Sequence, residues 1–137
     1  MASCVVDYED WQMQCCGTPF KVGDAVDWLA MELTGEDHPW SEIVGSMDYY
    51  YEAHDAYRAG MLRLRGVVID IKALHIKYVP SPENSRCLVP VAGSGIAVKV
   101  EKADGWDKDR KGMKFCGYAV TLSDYAAEPA NPQEVSF

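Results

Sequence analysis

The chain has 137 residues, 48% of them hydrophobic and 25% charged, which suffices for one compact domain with a core but not for two ordinary ones. The net charge is −8. Residues 1–57 contain 12 acidic residues and one basic residue, whereas residues 58–137 contain 12 basic and 9 acidic residues, giving −11 and +3. An acidic chain gains no counterion release on nucleic acid, so general DNA or RNA binding is disfavoured.

The cysteines and the lack of targeting segments predict a cytoplasmic location. No run of about 18 apolar residues exists and the N-terminus lacks a secretory pattern, so we expect neither a membrane span nor export. An odd number of cysteines without an export signal favours reduced thiols over a disulfide framework. The five are Cys4, Cys15, Cys16, Cys87 and Cys116.

The first strands are predicted on either side of a vicinal cysteine pair. Residues 4–6 indicate a short edge strand, and an acidic, aromatic segment follows. Phe20 and Val22 alternate with polar residues before a turn at 23–24, and Val26 and Trp28 alternate after it. This pattern predicts the first hairpin of an SH3-like or OB-like barrel.

Residues 30–60 break the strand alternation and are predicted to form an insertion. Residues 48–58 fit two conformations: a helix would stack Tyr50, His54 and Tyr57 on one face, whereas an extended segment would scatter them. We favour an insertion with some helix.

The longest regular pattern runs from residue 61 to residue 79. Its alternation slips phase, which predicts bulges near Gly66 and near Ala73-Leu74. Shorter strands are expected at 87–89, 96–100 and 116–122. The pattern as a whole predicts a mainly β fold: a single small barrel of five to seven strands over residues 1–125, with a loosely ordered tail at 126–137.

Several motifs together resemble an uncharacterised family of small actinobacterial proteins, a domain of unknown function. The resemblance covers most of residues 7–122 and is carried by Trp11-Gln12-Met13-Gln14-Cys15-Cys16-Gly17, Val22-Gly23-Asp24, Ala103-Asp104-Gly105-Trp106 and Gly117-Tyr118-Ala119-Val120. The first motif is the most specific. The resemblance implies no activity, cofactor or catalytic residue.

The vicinal pair Cys15 and Cys16 is the leading candidate for chemistry. A small enzyme could use either thiol as nucleophile with His54 as base, because a neighbouring imidazole holds a cysteine as thiolate. Neighbouring side chains of a strand point to opposite faces, so only one of the two would enter a site. The structural alternative is that one cysteine is a small core residue and the other packs under Trp11 or Trp28. His75 is expected on the solvated face of its strand.

A metal site is the weaker alternative. Structural zinc sites usually have two ligand pairs at short spacing, and no such spacing occurs here. We therefore expect no cofactor, although zinc or copper could bind if Cys15 or Cys16 met Cys87, Cys116 or His54 in the fold.

The generous supply of large rings favours a binding function. Amphipathic rings in loops commonly contact protein partners or line ligand grooves. We predict a cytoplasmic binding or adaptor module that presents an acidic, aromatic surface to a protein or small molecule. The expected contact residues are Trp11, Tyr50, Tyr51, Glu52 and Trp106.

Overall fold

The fold is mainly β with short helical segments, as the sequence predicts. In the computed structural model, the described residues are 2–33, 40–52, 59–91 and 93–131, without the side chains of residues 41 and 42. The strands are β1 (Ser3–Glu9), β2 (Phe20–Lys21), β3 (Ala25–Glu32), β4 (Tyr49–Tyr51), β5 (Leu62–Pro80), β6 (Leu88–Pro90), β7 (Ile96–Val100), β8 (Lys102–Ala103) and β9 (Met113–Pro129). The helical segments are α1 (Asp10–Cys16) and α2 (Ser41–Val44).

Five strands pair in a closed ring. The order is β3, β4, β1, β9 and β5, and β5 pairs back with β3. The pairing of β1 with β4 is parallel, whereas the other pairs of the ring are antiparallel. Beyond the residues that pair with β3, β5 pairs with β7 and then with β6, while it stays paired with β9 as far as Lys77. Strand β2 pairs with β8 in a separate small sheet.

Strand β5 bends where the phase slips predicted bulges. Its register against β9 shifts between Arg65 and Val67 and between Leu74 and His75, which confirms both predicted positions. A further shift lies between Val68 and Asp70. These bends let one 19-residue strand pair with β3 near its start and with β6 and β7 near its end.

His75 is buried, although strand alternation predicted a solvated side chain, because both faces of β5 are covered at this point. Leu74 packs in an apolar cluster with Trp40 and Ala119, whereas His75 lies on the opposite face against Phe115, and their exposures are 0% and 1%. The Nε2 atom of His75 lies 3.1 Å from the carbonyl oxygen of Lys108. The imidazole therefore helps to hold the loop that follows β8.

Three strand assignments differ from the sequence prediction. The predicted hairpin over residues 20–28 contains the expected turn, but β2 pairs with β8 and β3 pairs with β5. Strand β1 lies between β9 and β4, so it is not an edge strand. Residues 49–51 form a strand rather than a helix. His54 and Tyr57 lie outside the described residues.

The chain also remains regular beyond the predicted domain end at residue 125. Strand β9 continues to Pro129, with Ala126–Pro129 opposite Leu62–Arg65. Ala130 is buried, and its backbone N–H donates to the carbonyl oxygen of Met61. The predicted tail is therefore partly a ring strand, while residues 132–137 lie outside the described part.

The ring encloses an aromatic core. Tyr8 is fully buried and stacks on Tyr51 with ring centroids 3.9 Å apart, and Trp28 and Phe20 pack around it at 5.2 and 5.7 Å. A second, smaller apolar cluster centred on Leu74 includes Trp40 and Val44 at the α2 segment. The domain therefore buries both faces of part of its sheet.

Candidate functional site

Helix α1 exposes both cysteines of the vicinal pair. Its inward side chains are Gln12 and Met13, and the Gln12 Nε2 atom donates to the carbonyl oxygen of Tyr51 at 2.7 Å. Cys15 and Cys16 end the helix and are both exposed. The expectation that a strand would send them to opposite faces is wrong because the segment is helical.

The two cysteines are joined by a disulfide, whereas reduced thiols were expected. Their Cα atoms are 3.8 Å apart, and they are consecutive in the chain. The other cysteines are free: Cys4 is buried, Cys87 is exposed and Cys116 is half-buried. The expected packing of the pair against the core is also not observed.

A fixed loop presents Trp106 to solvent. The Tyr118 hydroxyl donates to Asp107 Oδ1 at 2.5 Å and accepts from the Gly105 N–H at 2.9 Å. The backbone N–H of Trp106 donates to Asp104 Oδ1 at 2.9 Å. Despite these bonds, the Trp106 side chain remains 69% exposed. The loop thus holds a large apolar ring in water, which core packing does not require.

Helix α1 and this loop meet to form one surface. The Gln14 Nε2 atom donates to the carbonyl oxygen of Gly105 at 2.7 Å, and Gly105 is the residue before Trp106. Trp11 is 41% exposed and precedes Gln14 by three residues, so the two lie on the same side of the helix. We call the surface formed by Trp11, Gln14, Cys15 and Trp106 the tryptophan face.

Carboxylates surround the two rings of this face. The Trp11 Nε1 atom donates to Glu9 Oε2 at 2.9 Å, and Asp10 is the next residue. Asp104 and Asp107 flank Trp106 in the loop. The surface therefore combines apolar rings with negative charge.

An acidic groove adjoins this face through Glu9, which lines the groove and accepts the hydrogen bond from Trp11. Its volume is about 330 Å³. Its walls carry the carboxylates of Asp7 and Glu9 and the rings of Trp40 and Tyr78, with Cys116 among the remaining lining residues. The groove extends the same combination of rings and carboxylates along the outer side of β1 and β5.

The other residues predicted to contact a partner lie elsewhere. Tyr51 and Glu52 are buried, with 7% and 6% exposure, and Tyr50 is half-buried in β4. The structure therefore sets the loop of Trp106 against α1, the helix that carries Trp11, but places Tyr51 and Glu52 in the interior. His54, the predicted base, lies outside the described residues. Sequence reasoning missed Gln14, whose role depends on a carbonyl 91 residues away.

Burial raises the pKa of several groups near this face. Burial is the main cause that raises the pKa of the Cys116 thiol and that of the Tyr78 hydroxyl, which lie 3.9 Å apart. Burial also raises the pKa of Asp10. Because the thiolate is the reactive form, Cys116 is a poor nucleophile at neutral pH.

The buried phenols and the buried thiol predict a loss of stability at alkaline pH. Burial raises the pKa of Cys4 from 9.0 to about 12 and raises the pKa of Tyr8 and Tyr118, with donation to Asp107 adding to the rise for Tyr118. The folded state retains protons that the unfolded chain releases. The contribution of these groups to the free energy of unfolding should therefore be constant between about pH 7 and pH 9 and fall above that range, by up to about 1.4 kcal/mol per group and pH unit.

Urea denaturation at a series of pH values between about 7 and 11 measures this dependence. The variant Tyr118→Phe removes one of the three groups, so its slope above about pH 10 should be shallower than that of the wild type. A free energy of unfolding that stays constant up to about pH 11 in the wild type would contradict the prediction.

The described side chains also bear on metal and membrane binding. Within residues 2–33, 40–52, 59–91 and 93–131, no three His, Cys, Asp or Glu side chains are grouped so that they could hold a metal ion. The cysteine combinations considered for zinc or copper therefore do not converge within these ranges.

None of the described helices has the length and apolar character needed to cross a membrane.

The fold and the site define a small, mainly β protein with an exposed tryptophan face and a vicinal cysteine pair. The chain belongs to a family of unknown function, DUF6578, whose model matches residues 2–124. This confirms the resemblance to an uncharacterised family. No curated protein matches the chain. No solved structure matches it either.

Proposed function

We propose that this protein is a cytoplasmic binding module whose tryptophan face and adjoining acidic groove bind a basic segment of a protein partner. The observation that carries the proposal is Trp106, which is 69% exposed on a loop held by hydrogen bonds to Tyr118. Because this loop is already ordered, a partner that covers the ring does not incur the entropy cost of ordering the loop. Tryptophan is also among the residues that contribute most to binding energy at interfaces.

The charges beside the rings favour a cationic partner. Arginine and lysine side chains are attracted to the faces of indole rings, and a carboxylate next to the ring adds a salt bridge. Glu9 and Asp10 flank Trp11, and Asp104 and Asp107 flank Trp106. The groove with Asp7 and Glu9 gives the partner segment a continuation along β1.

A blocked peptide of alternating arginine and glycine tests the proposal, and an alternating glutamate-glycine peptide of equal length is the control for charge. Isothermal titration should show saturable binding of the basic peptide only. Trp106→Ala should weaken this binding about tenfold or more, because a central aromatic contributes upwards of about 1.4 kcal/mol.

The matched control variant is Leu88→Ala, which removes an exposed apolar side chain on β6 (62% exposed) that belongs neither to the tryptophan face nor to the groove lining. Its affinity for the basic peptide should equal that of the wild type. Equal binding of the acidic peptide, or equal loss of affinity in both variants, would overturn the proposal.

A further inference from the structure

The disulfide between Cys15 and Cys16 does not stabilise the fold by closing a loop of the chain. A disulfide stabilises a fold chiefly by closing a loop in the unfolded chain, and the effect grows with loop length. Here the two cysteines are consecutive, so the bond encloses no intervening residue and ties no two elements together. It lies wholly within the last turn of α1.

Both sulfur-bearing residues are accessible from solvent. Cys15 and Cys16 are exposed, whereas Cys4 is buried and Cys116 is half-buried. Disulfides in reducing compartments are usually transient and serve catalysis or redox sensing. An exposed disulfide that links no two elements of the fold fits this class of transient disulfides.

The end of α1 connects the cysteine pair to the tryptophan face. Cys15 follows Trp11 by four residues, which places the two side chains one turn apart on the same side of the helix. Gly17 follows the pair, and its N–H donates to the carbonyl oxygens of Gln12 and Met13 at 3.0 and 3.2 Å. The Cys15–Cys16 pair therefore lies directly between Gln14, which holds the Trp106 loop, and this cap.

We propose that Cys15 and Cys16 form a thiol–disulfide exchange site that a dithiol reductant opens, and that its oxidation state sets the affinity of the tryptophan face. The second half of this statement rests on the proposed binding function. The first half stands independently of it.

The exchange balances without any further reactant. A thiolate of the external dithiol attacks one sulfur of the pair, the Cys15–Cys16 bond breaks, and a mixed disulfide forms while the other cysteine leaves as a thiolate and takes up a proton. The second thiol of the reductant then displaces the remaining cysteine. The pair gains two electrons and two protons, and the reductant becomes a disulfide. The reverse reaction uses a disulfide of the same class.

Thiol counting on the full chain tests the exchange. The protein is equilibrated in mixtures of a small dithiol and its cyclic disulfide, quenched in acid, unfolded and alkylated with iodoacetamide. Mass spectrometry should find five alkylated cysteines at the reducing end and three at the oxidising end, with Cys15 and Cys16 accounting for the difference. Cys87, which is exposed and lies in another part of the chain, should be alkylated throughout and is the internal control.

The same samples report on the tryptophan face through fluorescence. A disulfide one helical turn from an indole quenches its emission, so reduction should raise the emission of Trp11. The change should be absent in Trp11→Phe and in the double variant Cys15→Ser with Cys16→Ser, and present in Cys87→Ser. A count of five alkylated cysteines at every mixture, or emission that does not follow the count, would overturn the exchange site.

Titration of the oxidised and reduced protein with the basic peptide tests the regulation. We expect affinities that differ by about fivefold or more, the lower end of typical coupling between two sites. The double serine variant should show one affinity under both conditions. Equal affinities in the two states of the wild type would overturn the regulation while leaving the binding function intact. Absence of binding in both states would instead refute the proposed function and the regulation together, and the thiol count would still decide on the exchange site.

Discussion

Gly117→Ala should lower the free energy of unfolding by about 2–6 kcal/mol, the combined cost of a strained backbone conformation and of overpacking. Gly117 has a φ of +145°, a region that residues with a side chain rarely adopt. A Cβ atom there would lie 2.6 Å from the carbonyl oxygen of Tyr8 and 2.9 Å from the Cα atom of Glu9. These are backbone atoms where β1 passes into α1, so no side chain can rotate away.

Chemical denaturation measures the effect, and Gly112→Ala is the matched control. Gly112 also has a positive φ, +78°, but no atom lies within 4 Å of the position that its Cβ would occupy. It should therefore show the cost of conformation alone, about 1–3 kcal/mol. If the two variants lost equal stability, the close approach of β1 to Gly117 would not matter energetically.

Tyr8→Ala should lower the free energy of unfolding by about 3–5 kcal/mol, as is typical when a buried aromatic side chain is truncated to alanine. Tyr8 has no exposed surface and contacts Tyr51, Trp28 and Phe20 through its ring. The substitution leaves a cavity among three aromatic side chains, which cannot all move inward. Thermal and urea denaturation give the measured value.

Tyr8→Phe separates the ring from its hydroxyl group. It retains the stacking on Tyr51 and should cost far less than the alanine variant at neutral pH. It should also weaken the alkaline dependence, because the phenol whose pKa is raised by burial is gone. A phenylalanine variant as unstable as the alanine variant would show that the hydroxyl, rather than the ring, stabilises the core.

The long strands of this fold were predictable from sequence because alternation persists over many residues. In β5 the alternating residues Ile71 and Ala73 are buried, and in β9 so are Tyr118, Val120 and Leu122, at every second position. The bulges in β5 were predictable from the same pattern, since each phase slip must be absorbed by an extra residue. The presence of the long strands and the positions of their bends can therefore be predicted from the alternation of apolar and polar residues.

The short elements were not predictable because distant contacts stabilise them. Helix α1 has seven residues, its N-cap Glu9 makes no side-chain capping bond, and isolated helices of this length are unstable. Its support comes from Gln12 bonded to Tyr51 and Gln14 bonded to Gly105. Likewise, β4 has three residues, too few to show a period, and becomes a strand by pairing with β1 and β3.

The candidate site shows the same division. Trp11 and Trp106 could be selected from sequence because the chain has many large aromatic residues and these two fall in polar segments outside the predicted strands. The packing of the Trp106 loop on α1 depends on Gln14 and on the bond between Tyr118 and Asp107, which the sequence does not reveal. The exposure of both cysteines likewise depends on α1 being a helix.

The pairing of β1 with β9 has a consequence for the order of events after synthesis. Ser3 lies opposite Ser123 and Glu9 opposite Gly117, so the first strand completes its hydrogen bonds only with the last one. On a ribosome that adds about 5–20 residues per second, β1 emerges well before its main partner. The five-stranded ring can close only after translation of β9, and the high separation of its contacts predicts a slow, cooperative folding step. Until that step, the emerging chain exposes the apolar side of β1 and is the species that a chaperone would meet.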